Sequence, residues 1–384
     1  SGSLLVANGN GNHAFDGGTV VAIRKSYLDA FFAKALTNCD SPAPDAACDD
    51  DVSLHPGDVF SGVVMVGNYT GPLALNDDAT RAFTGARDTN TLSAVAVATD
   101  GSLSCAPGAG ATPDCRQGLV DLGKSGVLNT SGVVAALDMA DPSQVVATAL
   151  AGSGFIASVS LGQGTAVGPM LYDPVRRQLV MGGCFQRFPG TGAGEPGTGR
   201  CTNTGFNYLR FLDVNAQLSG QPTLVDLFGD VRSVETTAMA FGDLDPATQA
   251  PTTLWVTMRA PDVLAQVELP LLPSVPPRVR RVVPLPVSPA DVLRIPRPGG
   301  KSDLIAVAAE KIGSVAIYDT GLKQVVGQVE RLGDSPFALK LLSEDATSAR
   351  LVSTVFRSCR LALIEVPFDA PWNAALRGRV GKCQ

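Results

Sequence analysis

Histidine is almost absent from the 384 residues: only His13 and His55 occur. Acid–base and metal-assisted chemistry most often recruit imidazole, so a histidine-built catalytic centre has two candidates, and both read as solvated loop residues. Charge is sparse as well. Charged residues make up 17 % and the formal net charge is −6, so a polyanion-binding surface would be a local patch working against the overall field. Nucleic acid is therefore not an expected partner. No apolar run approaches the ~20 residues that cross a membrane as a helix, and no transmembrane segment is expected. No C-x-x-C pair occurs, which removes the common zinc spacings, and no C-x-x-C-H haem motif is present. The acidic runs CDDD (Cys48–Asp51) and GDLD (Gly242–Asp245) lack the alternating oxygen ligands and the glycine of a calcium loop. They read as solvated acidic loops, and no cofactor or metal is expected.

Glycine and proline are plentiful, at 41 and 27 residues. That many residues hostile to helix interiors, in a chain that is 45 % hydrophobic, describe a turn-rich all-β protein with a sizeable core. The length permits two or three domains or one large all-β domain, and the repeat described next favours a single domain over 1–384.

One pattern recurs along the chain: a short apolar strand, a polar break, then an alternating strand that often ends in an acid. The clearest copy runs from Asp303 to Leu342. Further hairpins pair Leu4–Asn8 with Thr19–Ile23, Ala82–Arg87 with Leu92–Ala98, Val145–Leu150 with Phe155–Leu161 and Leu179–Cys184 with Tyr208–Val214. Two more pair Leu254–Arg259 with Val263–Leu269 and Leu351–Arg357 with Arg360–Val366. Seven units of about 55 residues, each with apolar segments flanking its hairpin, give four strands per unit. Such sheets cannot bury both faces alone, so they pack radially and close as a seven-bladed β-propeller of four-stranded antiparallel blades. On this reading the chain starts at the second strand of unit 1, and the ring closes by joining the N- and C-terminal strands.

Within the clearest copy, SVAIYDTGLKQVVGQVERLGDSPFALKL resembles the YVTN-type β-propeller repeat through Val315, Ile317, Asp319, Thr320, Lys323, Val325, Val326, Gly333 and Pro336. The resemblance implies a seven-bladed, extracytoplasmic bacterial propeller of the periplasm or cell surface. It implies no particular chemistry, because similar propellers serve as binding proteins, scaffolds, lactonases and lyases.

The eight cysteines are even in number, which suits disulfides in an extracytoplasmic setting. Sequential pairing is expected, Cys39–Cys48, Cys105–Cys115, Cys184–Cys201 and Cys359–Cys383, since each pair brackets a Gly-, Pro- or Asp-rich stretch. The insertion 27–55 then holds a short helix, from Tyr27 to Leu36, followed by a stapled loop, and 105–115 and 184–201 are stapled loops of the same kind. The Pro-rich stretch Leu269–Pro289 reads as an extended outer strand with its connections. The abrupt start at Ser1 suggests a processed chain, with a signal or lipid anchor upstream. Twenty-two Arg against eight Lys suggest a bacterial source.

Two phosphate-site patterns are set aside. Gly118, Gly123, Lys124 and Ser125 match G-x-x-x-x-G-K-S, and Gly192, Gly194 and Gly197 match G-x-G-x-x-G, but neither stands between a strand and a helix. Asn68 and Asn129 fit glycosylation acceptors that matter only in a eukaryotic secretory setting. The positional feature that stands out is cationic. Arg87, Arg259 and Arg357 end the second strands of three units, with Arg187 and Lys311 nearby in two others. Shared turns would ring a central mouth with cations able to grip a carboxylate or phosphate. The alternative is local pairing, Arg87 with Asp88 or Arg259 with Asp262. The expected function is a non-catalytic scaffold that binds envelope or surface proteins or a small anionic ligand. The competing reading is a lactonase- or lyase-type propeller enzyme acting at the same mouth.

Overall fold

The computed structural model describes residues 2–9, 17–33, 39, 48–51, 55–68, 70–75, 79–86, 91–105, 113–116, 119–121, 133–135, 146–151, 155–160, 166–176, 178–186, 205–213, 223–226, 235–272 and 275–381. Two compact units emerge, 1–28 with 57–233, and 29–56 with 234–384.

The first unit opens with β1 (Ser3–Asn8) and β2 (Gly18–Arg24). After α1 (Lys25–Ala33), β3 (Asp49–Asp50) and the short α2 (Pro56–Val59), β4 (Phe60–Val66) completes the sheet β1-β2-β4. A second sheet runs β5 (Thr70–Leu75), β6 (Arg81–Ala86), β7 (Thr91–Val97) and β8 (Leu103–Cys105), with β9 (Leu119–Asp121) also paired to β7. The third holds β10 (Val133–Ala135), β11 (Val146–Ala151) and β12 (Phe155–Ser160). The fourth holds β13 (Ala166–Asp173), β14 (Gln178–Gln186), β15 (Gly205–Asp213) and β16 (Thr223–Asp226).

The second unit has three sheets. They are β17 (Glu235–Phe241) to β20 (Arg278–Pro284) through β18 (Thr253–Arg259) and β19 (Val263–Glu268); then β21 (Pro289–Ile295), β22 (Leu304–Ala309), β23 (Ser314–Asp319) and β24 (Gln324–Val329); and finally β25 (Pro336–Glu344), β26 (Ser348–Val355), β27 (Arg360–Pro367) and β28 (Ala375–Val380). Strands within these sheets pair antiparallel, and all seven expected hairpins are present. Within each unit the first strands of successive sheets lie side by side: β1, β5, β10 and β13 in one, β17, β21 and β25 in the other.

This packing explains the apolar runs. Every residue of β22 and β23 is buried, because each face of their sheet is covered by a neighbouring sheet, whereas the outer strand β24 is largely exposed. Trp255 and Tyr318 meet edge to face between two sheets, their centroids 5.4 Å apart. The next core layer joins Ile295, Leu304, Ile317, Leu339, Leu351 and Ile364.

The expected first unit is out of phase by one strand. Among the described residues β1 and β2 are the first and second strands of their sheet, not the second and third, because the third strand, β4, follows the insertion. Nor do the first and last strands share a sheet among the described residues. β25 to β28 come consecutively from the C-terminal segment, and what the N-terminal region adds to that sheet is β3, parallel to β28. The Pro-rich stretch does form an outer strand, β20, whose burial alternates residue by residue.

The helix begins two residues earlier than expected. Its Leu28, Phe31 and Phe32 follow the i, i+3, i+4 spacing of a buried stripe. Phe31 packs over Gly378 of β28 so closely that a Cβ there would sit 2.1 Å from its ring. The Arg350 guanidinium lies 5.6 Å over the Phe32 ring. Disulfides join Cys39 to Cys48 and Cys105 to Cys115, as the spacing suggested. Cys359 is also disulfide-bonded. Its expected partner Cys383, together with Cys201 and the side chain of Cys184, lies outside the described residues.

Candidate functional site: one turn end of the second unit

The turns joining second to third strands are 260–262, 310–313 and 356–359, and hydrogen bonds run laterally through them. The Glu310 amide donates to the Ser288 carbonyl (2.8 Å), Leu332 to Gly313 (3.1 Å), Phe356 to Ser335 (2.9 Å) and Arg357 to Asp334 (3.2 Å). The Asp334 amide donates to Ser358 Oγ (2.8 Å). These bonds, with that from the Leu285 amide to the Asp262 carbonyl (3.0 Å), tie the three turns to the adjoining connections along one end of the unit. Gly313 closes its turn with φ +62°, and a Cβ there would come within 2.6 Å of the Gly333 carbonyl oxygen, so glycine is required.

Three of the cations singled out in the sequence stand on this end. Arg259, at the tip of β18, donates from Nε to the Pro289 carbonyl (3.0 Å) and from Nη2 to Glu310 Oε2 (2.5 Å). It thus has a carboxylate partner in Glu310 on the next sheet. Lys311 is exposed in the following turn. Arg357 is exposed, with Nη1 4.0 Å from Asp334 Oδ2, a weak solvated pair. Arg87 and Arg187 lie outside the described residues, as do His13 and the glycines, Lys124 and Ser125 that define the two phosphate-site patterns.

The sequence reading missed what stands between these cations. Ile312 and Phe356 occupy the same turns and are 46 % and 56 % exposed; Val287, in the connection before β21, is 47 % exposed, and Phe337, the second residue of β25, 54 %. A signal was available: each turn apolar residue sits directly beside a cation, in EKIG and VFRS.

Two readings need correction. Cys48–Asp51 is no solvated loop: Asp49 accepts from Arg379 Nε (2.6 Å) and lies 3.5 Å from Arg360, while β3 pairs with β28. His55 is no isolated surface residue, since its Nε2 lies 3.4 Å from Asp50 Oδ1. Asp245 instead serves a turn. Its carboxylate accepts the Thr248 hydroxyl and the Thr248 and Ala247 amides, which hold its pKa below the usual range. Among the described residues no group of three or more His, Cys, Asp or Glu side chains is gathered as a metal site.

A carboxylate of another kind lies on β21. Asp291 accepts the Leu339 amide of the neighbouring sheet (2.7 Å) and the Val292 amide (2.9 Å). Burial pushes its pKa up to about 6, against the opposing pull of those two amides and of Lys340.

No family model matches the chain, and no curated protein matches it by sequence. Solved structures do. A putative 6-phosphogluconolactonase from Bacteroides uniformis superposes with TM-score 0.55 at 11 % identity, covering 97 % of this chain and 94 % of its own. The β-propeller domain of Swd1 from Myceliophteria thermophila gives 0.52 at 9 %, covering 94 % and 96 %. This chain is a β-propeller. A periplasmic gluconolactonase from Pseudomonas aeruginosa, at 0.50 and 14 % identity over 88 % and 84 %, is a further neighbour of the propeller. At these identities the likeness concerns fold alone.

Proposed function

We propose that the protein is a seven-bladed, ring-closed extracytoplasmic propeller, of the YVTN-like kind, that works as a non-catalytic binding platform for a protein of the cell envelope. The partner docks on the turn end of the second unit. The observation that carries this reading is the alternation on that end of Val287, Ile312, Phe337 and Phe356 with Lys311 and Arg357. Single exposed apolar side chains need no partner; several carried on bonded turns at one end and interleaved with cations have the composition of an interface. The exposed cations suit an acidic loop, or a small anionic ligand held by the guanidinium fork. Arg259, engaged by Glu310, contributes shape.

Disulfides, a chain in which no described helix is long and apolar enough to cross a membrane, and a neighbour that is periplasmic by name support the location. The test is affinity capture from native envelope with wild type and with the Ile312→Ala/Phe356→Ala/Arg357→Ala protein. A stoichiometric envelope protein retained by the wild type and at least about tenfold depleted from a variant with an unchanged melting curve is the expected result. Equal retention by both, or retention by neither, overturns the reading.

The enzyme reading, a lactonase- or lyase-type propeller acting on a small anionic substrate, has one observation in its favour. Asp291, raised toward neutrality beside Lys340, has the pKa of a usable general base. Lactone hydrolysis by the wild type that falls at least about a hundredfold in Asp291→Asn would favour it over the platform.

A further inference from the structure

Both described disulfides end one residue from an aspartate that bridges, in parallel, to the outer edge of a sheet. Asp49 follows Cys48 and pairs with Arg379, where the Arg379 amide donates to the Cys48 carbonyl (2.7 Å) and the Gly381 amide to Asp50 (2.9 Å). Asp114 precedes Cys115 and pairs with Met65 on β4, where the Met65 amide donates to Pro113 (2.7 Å) and the Cys115 amide to Met65 (2.9 Å). The sulfurs are buried: Cys39 and Cys48 join the core beneath β28, and Cys105 and Cys115 the core beneath β4. Each staple therefore holds a short cap on a strand edge that would otherwise be a template for pairing.

Two or three residues of parallel pairing are too little to hold a chain end without a tether. The two caps differ in charge. The one on β28 brings Asp49 to Arg379 and Arg360, with Asp50 and Asp51 following, whereas Asp114 pairs with Arg116 of its own loop.

We propose that the Cys39–Cys48 bridge keeps this protein monomeric. In a chain that has folded without it, the acidic run Asp49–Asp51 leaves β28, and two copies exchange their runs, each placing its Asp49 against the other's Arg379 and Arg360. The occupant of the opened edge is thus a second copy, because the complement of those two guanidinium groups is this same segment and exchange restores the Asp49 ion pairs and the two backbone bonds at the edge. Bridge formation removes two electrons and two protons from the paired thiols, taken up by a thiol–disulfide oxidant such as an oxidised dithiol protein.

The test is the mass in solution, by light scattering across a concentration series, of Cys39→Ser/Cys48→Ser, together with exchange of the Arg379 and Gly381 amides. The expected result is a concentration-dependent doubling of mass, with those amides exchanging at least about tenfold faster in the dilute monomer than in wild type. Adding Asp49→Arg to that background should abolish the dimer. Cys105→Ser/Cys115→Ser, whose Asp114 pairs with Arg116 of its own loop, should stay monomeric. Should the serine pair not melt cooperatively, Cys39→Ala/Cys48→Ala takes its place. A monomer at all concentrations, retained amide protection, a dimer that survives Asp49→Arg, or dimerisation of the Cys105/Cys115 variant each overturns the proposal.

Discussion

Asp319→Ala should lower stability by about 3–5 kcal/mol, the cost of stranding a buried charge, read as a shift of the chemical-denaturation midpoint at unchanged slope. Asp319 ends β23 and is only 3 % exposed. One carboxylate oxygen accepts the Gly321 and Leu322 amides (2.8 and 2.9 Å), building the turn into β24. The other accepts Arg297 Nη2 at 2.9 Å, and the Arg297 side chain is itself nearly buried. Alanine would leave a guanidinium without its counter-ion and two amides without an acceptor. Burial pushes the Asp319 pKa up, but the Leu322 amide, the Arg297 guanidinium and the Gly321 amide outweigh it and hold it below the usual value. A depressed folded pKa means stability that is present above the unfolded pKa near 3.9 and is lost as pH falls through the folded one. The variant should therefore lose most at neutral pH and converge toward wild type in strong acid. Asp319→Asn, which keeps an acceptor but not the charge, should fall between the two. A denaturation midpoint unmoved by alanine would show that the carboxylate contributes nothing to the fold.

That residue also shows why part of the architecture was legible. The Asp-Thr of the YVTN-like copy works locally: Asp319 caps its turn, and the Thr320 amide and hydroxyl both donate to the Asp303 carbonyl (3.1 and 2.9 Å). Lys323 and Gly333 take positive φ, 61° and 128°, and Pro336 stands at the first position of β25, where no earlier ladder amide is needed. Patterns made within one hairpin leave a trace in sequence order. The phase of the first sheet left none, because β2 pairs with a strand beyond the 27–55 insertion. The edge caps were hidden for the same reason. CDDD and PDC carry no strand signal, and their pairing depends on partners 330 residues away for Asp49 and Arg379, and on Met65 for Asp114. At the candidate site the cations could be placed by register. The Arg259–Glu310 pair spans 51 residues and two sheets, and no local rule points to Glu310.

Between pH 4 and pH 8, wild type should lose about 2 kcal/mol of stability relative to Asp291→Asn. The carboxyl lies between the first strands of two adjacent sheets and ties them through the Leu339 amide. Burial raises its pKa to about 6. A raised folded pKa on an acid reverses the usual carboxylate sign: the folded state holds the proton more tightly than the unfolded one. Its stabilising contribution is complete below the unfolded value near 3.9 and is lost as pH rises through about 6. Asparagine carries no such charge at any pH and keeps an oxygen for the Leu339 amide, at the cost of the short Val292 contact. Near pH 4 the variant should accordingly be the less stable protein by about 1 kcal/mol, the worth of one hydrogen bond. By pH 8 the order should reverse. Paired thermal and denaturant unfolding of the two proteins across this range isolates the residue, since every other titrating group is common to both. Parallel stability curves would mean that the carboxyl ionises as it does in the unfolded chain and that the link between the sheets carries no buried charge.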